Sequence, residues 1–142
     1  ELCHAFAPGM AERGHGGILN VASVAGFIPG PYMSTYYASK AFVQSFSSAL
    51  HRELRPYGVH VTALCPGPVR TPFWDNSDAG GTALARMTIS APRVARAAIR
   101  AMGCNRLLCC PGVLAKVIVF GSRLVPRTWA AAAASALQKP GK

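Results

Sequence analysis

The chain has 142 residues, 51% hydrophobic and 14% charged, which is enough to fill the core of one ordinary domain and excludes a disordered tail. Its formal net charge of +10 is uneven: residues 1–78 hold all five acids and five Lys/Arg, and residues 79–142 hold ten Lys/Arg and no acid. That asymmetry suits an anionic partner or a solvated basic rim. Five irregularly spaced cysteines, without a CxxC pair or a Cys/His array, exclude a zinc-finger type of metal site and are expected as buried, reduced thiols.

In chain order, "ELCHAFAPGMAERG" reads as the last turns of an amphipathic helix over 1–13, closed by the glycines of "GHGG". It has no initiator Met and no preceding cap, so the chain reads as a fragment of a longer protein. "ILNVAS" (18–23) is a short apolar run and predicts a buried strand. "AGFIPGPYMS" (25–34) reads as a Gly/Pro loop. A long helix is predicted over 35–55, capped by Ser34 or Thr35, with Phe42, Phe46, Ala49, Leu50 and Leu54 on its apolar face. "VHVTAL" (59–64), rich in β-branched residues, predicts a second buried strand. The prolines of "CPGPVRTPFW" (65–74) argue against regular structure, and "DNSDAGG" (75–81) reads as a mobile turn. Ser90 and Pro92 start another helix, Gly103 closes it, and "RLLCC" (106–110) predicts a third strand. Helices follow over 113–125 and, after Pro126, in "TWAAAAASALQK". No signal peptide is visible, and the apolar run "VLAKVIVFGSRLV" is broken by Lys116 and Arg123, well short of the roughly 20 apolar residues of a spanning helix. His51 falls on a helix and His60 opens a strand; all four histidines are expected to be structural.

Strands alternating with helices, each strand apolar on both faces, predict an α/β fold with a parallel sheet. Three strands make only the C-terminal half of a Rossmann-type doubly wound sheet, with the N-terminal half missing. Residues 1–112 are expected as the partial dinucleotide-binding domain and 113–142 as an apolar, basic helical extension. In such sheets ligands bind beyond the carboxyl ends of the strands. Ser23 and "CPGPVRT" lie at those ends, and the start of the 35–55 helix returns to them. "YYASK" (36–40) places Tyr36 four residues, and Tyr37 three residues, ahead of Lys40, and on a helix either phenol can reach the ammonium.

The set "NVASVAG…YYASK…CPGPVRT" resembles the short-chain dehydrogenase/reductase superfamily across residues 1–74. The family pattern is a strand-end Ser, a Tyr thirteen residues later and a Lys four beyond that. Ser23, Tyr36 and Lys40 match both intervals; Tyr37 breaks both. The resemblance implies an NAD(P)-dependent oxidoreductase that moves hydride between nicotinamide and a carbonyl or hydroxyl substrate. Tyr36 would exchange the proton of the alkoxide, the Lys40 cation would favour the phenolate and bond the ribose hydroxyls, and Ser23 would hold the carbonyl oxygen. Pro66, Gly67, Val69 and Thr71 would line the nicotinamide side. Phe73 and Trp74, with Phe27 and Met33, would shape an apolar pocket for a hydrophobic alcohol, ketone or acyl substrate.

The family's glycine-rich phosphate loop, its cofactor-selecting residue, its "NNAG" stretch and its helix asparagine have no counterpart in the chain, since Asn20 lies within the strand leading to Ser23. NAD against NADP is therefore unreadable, and the 142 residues alone are expected to be inactive. The resemblance also implies a homo-oligomer. No metal is expected, and cytoplasmic placement is. A competing reading is a non-catalytic basic module for a membrane surface or nucleic acid. Nucleic acid is the weaker of the two, because the cations are not interleaved with aromatics. Peripheral membrane contact by the C-terminal helices would add to the enzyme reading.

Overall fold

The computed structural model describes residues 1–70 and 88–138. Helix α1 (Leu2–Arg13) leads through a left-handed Gly14 into strand β1 (Gly16–Val21). A 3-10 turn (Val24–Phe27) precedes the long helix α2 (Ser34–Leu54), which feeds strand β2 (Val59–Leu64). Two-residue strands β3 (Val69–Arg70) and β4 (Ile89–Ser90) pair with each other. Helix α3 (Ala91–Gly103), strand β5 (Leu108–Cys109) and helices α4 (Val113–Gly121) and α5 (Arg127–Gln138) complete the described chain.

The main sheet has the order β1-β2-β5, parallel throughout. Its centre is β2, whose Val59, Val61, Thr62 and Ala63 are fully buried. One face packs Ile18, Val59 and Val61 against Ala7 of α1 and Leu54 of α2. The other packs Leu64 and Cys109 against Val94, Ala98 and Ala101 of α3. Helices on both faces explain why the strands read as continuous apolar runs. Polar groups in this core are paired: Thr62 Oγ1 donates to the Arg106 carbonyl at 2.7 Å, and His51 and His60 each place Nδ1 on a backbone carbonyl oxygen.

Several sequence expectations shift. Strand β1 ends at Val21, so Ser23 lies past the strand. The 25–34 loop begins inside the 3-10 turn, and "CPGPVRT" contributes a short strand. Neither Ser34 nor Thr35 caps α2: the N-cap position is Met33, without a side-chain bond. The third strand shrinks to Leu108–Cys109, and α4 stops at Gly121. The apolar face of α2 is the largest correction. Phe42, Phe46 and Ala49 point outward, while Val43, Ser47, Leu50 and Leu54 face the sheet. Ser47 fits that core line because its hydroxyl accepts from Asn20 Nδ2 at 2.9 Å and donates to the Val43 carbonyl at 2.6 Å. The thiols are free but not all buried: Cys104 is exposed, and Cys3 and Cys110 are partly so.

Candidate active site

The carboxyl ends of β1 and β2 are laced together. Ala22 N donates to the Leu64 carbonyl at 2.8 Å and Val24 N to the Pro66 carbonyl at 3.1 Å. This sets Ser23 next to the Pro66–Gly67 segment. Ser23 is 9% exposed and caps the 3-10 turn, its Oγ accepting from Ala25 N at 3.1 Å. A hydroxyl keeps its own proton free when it accepts, so Ser23 can still donate to a carbonyl oxygen.

Helix α2 brings its first turns to this edge. Gly26 makes the approach possible, since a Cβ there would sit 2.8 Å from the Lys40 carbonyl oxygen. The Lys40 Nζ donates to the Val21 carbonyl at 3.1 Å and lies 5.7 Å from the centroid of the Tyr36 ring. The residue at i and the residue at i+4 thus share one helix face, and Lys40 reaches the end of β1.

The twin tyrosines part company in the structure. Tyr36 is 39% exposed, with no side-chain hydroxyl partner among the described residues. Tyr37 is half-buried, edge-on to Tyr36 with ring centroids 5.9 Å apart. Its ring lies against Gly30, where a Cβ would come within 2.3 Å of it, and its hydroxyl accepts from Gln138 Nε2 of α5. Burial raises the Tyr37 pKa, the Gln138 bond partly offsets this, and neighbouring Tyr36 adds to the rise. A phenol so enclosed is held neutral, which suits packing and not proton exchange.

The Tyr37–Gln138 contact, spanning 101 residues, carried no local signal in the sequence. Gly67 approaches Ala115 of α4, and Val69 is committed to the β3–β4 ladder. Phe27 is half-buried and packs against the Ala22, Ala63 and Cys65 cluster. Met33 is exposed at the start of α2. Thr71, Phe73, Trp74 and the "DNSDAGG" turn lie outside the described residues.

Comparison with known proteins finds one family. Residues 1–81 match the family model described as short chain dehydrogenase. A very-long-chain 3-oxoacyl-CoA reductase of Bos taurus is 41% identical over 82 residues, covering 53% of this chain and 26% of that protein. A short-chain dehydrogenase from Sphingobium yanoikuyae, solved in complex with NADPH, superposes with a TM-score of 0.71 at 31% identity, covering 87% of this chain and 49% of the other. One from Burkholderia cenocepacia, in complex with NADP, gives 0.75 at 25% identity, covering 97% and 55%. The chain therefore spans about a quarter of the bovine relative and about half of each solved structure.

Proposed function

Because the chain belongs to the short-chain dehydrogenase family, we propose that the protein is an NAD(P)-dependent oxidoreductase acting on a carbonyl/hydroxyl pair. The observation that carries this reading is the exposed Tyr36 phenol beside the Lys40 ammonium, at the edge where Ser23 and Pro66 meet. The donor set fits a nicotinamide nucleoside: an ammonium has three N–H groups, and Lys40 spends one on Val21, which leaves two for ribose hydroxyls. When bound, the cofactor supplies or accepts the hydride. Ser23 holds the substrate oxygen, Tyr36 gives or takes the proton at that oxygen, and Lys40 places positive charge beside the phenol. Pro66, Gly67 and Val69 are proposed to line the nicotinamide side, with Thr71 beyond them.

The bovine relative's name, together with exposed Met33 at the start of α2 and the apolar Phe73 and Trp74 nearby in sequence, supports a substrate with a long apolar chain, such as a 3-oxoacyl thioester. The full-length protein should oxidise NADH or NADPH on adding such thioesters or apolar ketones. Failure with both cofactors across the panel would overturn the reading.

Two partner proposals accompany it. Phe42 and Phe46 stack at 6.0 Å on the outer face of α2, and Leu2 and Phe6 of α1 are exposed as well. This surface suits a second copy. Phe42→Glu with Phe46→Glu should convert an oligomer to a monomer by sedimentation at micromolar concentration; a wild-type protein that is already monomeric would remove the idea.

On α4 and beyond, Val113, Val117, Phe120 and Leu124 recur at spacings of four, three and four, and all are well exposed. Lys116, Arg123 and Arg127 lie among them. Among the described residues no helix is long and apolar enough to cross a membrane. The proposed location is the cytoplasm, with this stripe resting on an anionic lipid surface. Wild-type protein should float with phosphatidylserine vesicles, and Val117→Asp with Phe120→Asp should not; equal flotation of both would reject the contact.

A further inference from the structure

Next to the candidate active site, on the residue before Pro66, the sheet sets two thiols side by side. The β2–β5 ladder pairs Ala63 with Leu108 and Leu64 with Cys109, and the bond from Cys65 N to the Cys109 carbonyl at 2.7 Å carries it one residue further. Cys65 and Cys110 are therefore neighbours in register. Register partners on parallel strands lie about 4.8 Å apart and project to the same face. That separation falls within the roughly 4.4–6.8 Å between Cα atoms that a disulfide accepts. Both residues belong to the cluster around Ala22 and Ala63, whereas Cys109 points to the opposite face, against α3.

The two thiols differ in access. Cys65 is fully buried. Cys110 is partly exposed and lines a cavity of about 350 Å³ with Leu108, Lys116, Val119, Phe120 and Arg123. The Cys65 S–H has two acceptors, the Ala63 carbonyl at 3.8 Å and the Cys110 sulfur. That second bond, together with the Lys116 and Arg123 charges, lowers the Cys110 pKa to about 7 against the opposing effect of burial. The Cys65 pKa is raised, by the same bond first and then by burial and the neighbouring thiols. Burial also raises that of Cys109. One proton is thus held on Cys65, and negative charge collects on Cys110.

We propose that Cys110 and Cys65 form a peroxide-oxidisable pair, in which Cys110 is the attacked sulfur and Cys65 resolves it as a disulfide. The Cys110 thiolate attacks a peroxide oxygen: an S–O bond forms, the O–O bond breaks, and hydroxide leaves and takes a proton to become water. The sulfur is oxidised to a sulfenic acid and the peroxide is reduced. The Cys65 thiol then gives up its proton and attacks the Cys110 sulfur. The S–S bond forms, the S–O bond breaks, and a second water leaves. The crosslink would tie β2 to β5 one residue before Pro66–Gly67.

The test uses the full-length protein treated with hydrogen peroxide, alkylated and mapped by mass spectrometry. A Cys65–Cys110 linked peptide, lost on adding dithiothreitol, is expected. Cys65→Ala should stop at a dimedone-trapped sulfenic acid on Cys110, and Cys110→Ser should leave Cys65 reduced. Iodoacetamide labelling of Cys110 should rise through a midpoint near pH 7, shifting upward in Lys116→Ala with Arg123→Ala. Oxidation of exposed Cys104 ahead of Cys110, or a wild-type Cys110 that stays sulfenic without linking to Cys65, would overturn the proposal. None of these readouts depends on turnover, so they are independent of the oxidoreductase reading.

Discussion

Tyr36→Phe should reduce turnover by about 10²–10⁴-fold, the range lost with a positioned acid–base group, while NAD(P)H still binds. Tyr37→Phe should stay within a few-fold of wild type. The two residues are adjacent and chemically identical, so the difference must come from their surroundings. The Tyr36 phenol is exposed and shares a helix face with the Lys40 ammonium, 5.7 Å from its ring. The Tyr37 hydroxyl is occupied by Gln138, and its ring is pressed against Gly30. Removing the Tyr37 hydroxyl loses one partly buried hydrogen bond, worth about 1 kcal/mol of stability, and no proton route. The measurement is kcat in the full-length protein, with cofactor binding followed by fluorescence. A dead Tyr37→Phe beside an active Tyr36→Phe would reverse the assignment.

What was legible in the sequence follows the range of the forces involved. "VHVTAL" matches β2 residue for residue because a run rich in β-branched residues, bounded by Gly58 before it and Pro66 just after it, reads as a strand. The placement of Ser23, Tyr36 and Lys40 near one another was legible because their spacing, just past one strand and along one helix, is local; their roles are proposals from the family pattern. The buried face of α2 was legible only in part: Leu50 and Leu54 face the sheet, and Phe42, Phe46 and Ala49 do not. The helix carries two candidate stripes, and Phe42 and Phe46 are the more apolar pair. The structure instead buries the line containing Ser47, because Asn20 on β1 satisfies its hydroxyl, and that partner is invisible without the fold. The same holds for Cys65 beside Cys110, which only the strand register brings together, and for Gln138 reaching Tyr37. Thr71, Phe73 and Trp74 were named from the motif, and their placement lies outside the described residues.

Lys40→Met should weaken both cofactor binding and turnover, because one ammonium serves two roles. In the structure Lys40 is anchored by its bond to the Val21 carbonyl at 3.1 Å, which holds Nζ at the end of β1 and leaves two N–H groups for a ligand. A charged-group hydrogen bond contributes about 1.5–3 kcal/mol, so losing it should weaken cofactor affinity roughly 10–100-fold. Turnover should fall further, because the positive charge beside Tyr36 goes with it. Stability should change little: the Val21 carbonyl lies at the exposed end of its strand, where water can replace the lysine. Lys40→Arg restores the charge but spreads its donors over a planar fork of different reach. It cannot meet the Val21 carbonyl and a ribose in the same geometry, so rescue should be partial. Cofactor affinity and kcat measured with thermal melting separate the readings. A Met variant that loses melting temperature but keeps its affinity would make Lys40 a structural tether alone, and full activity in the Arg variant would argue against the dual role.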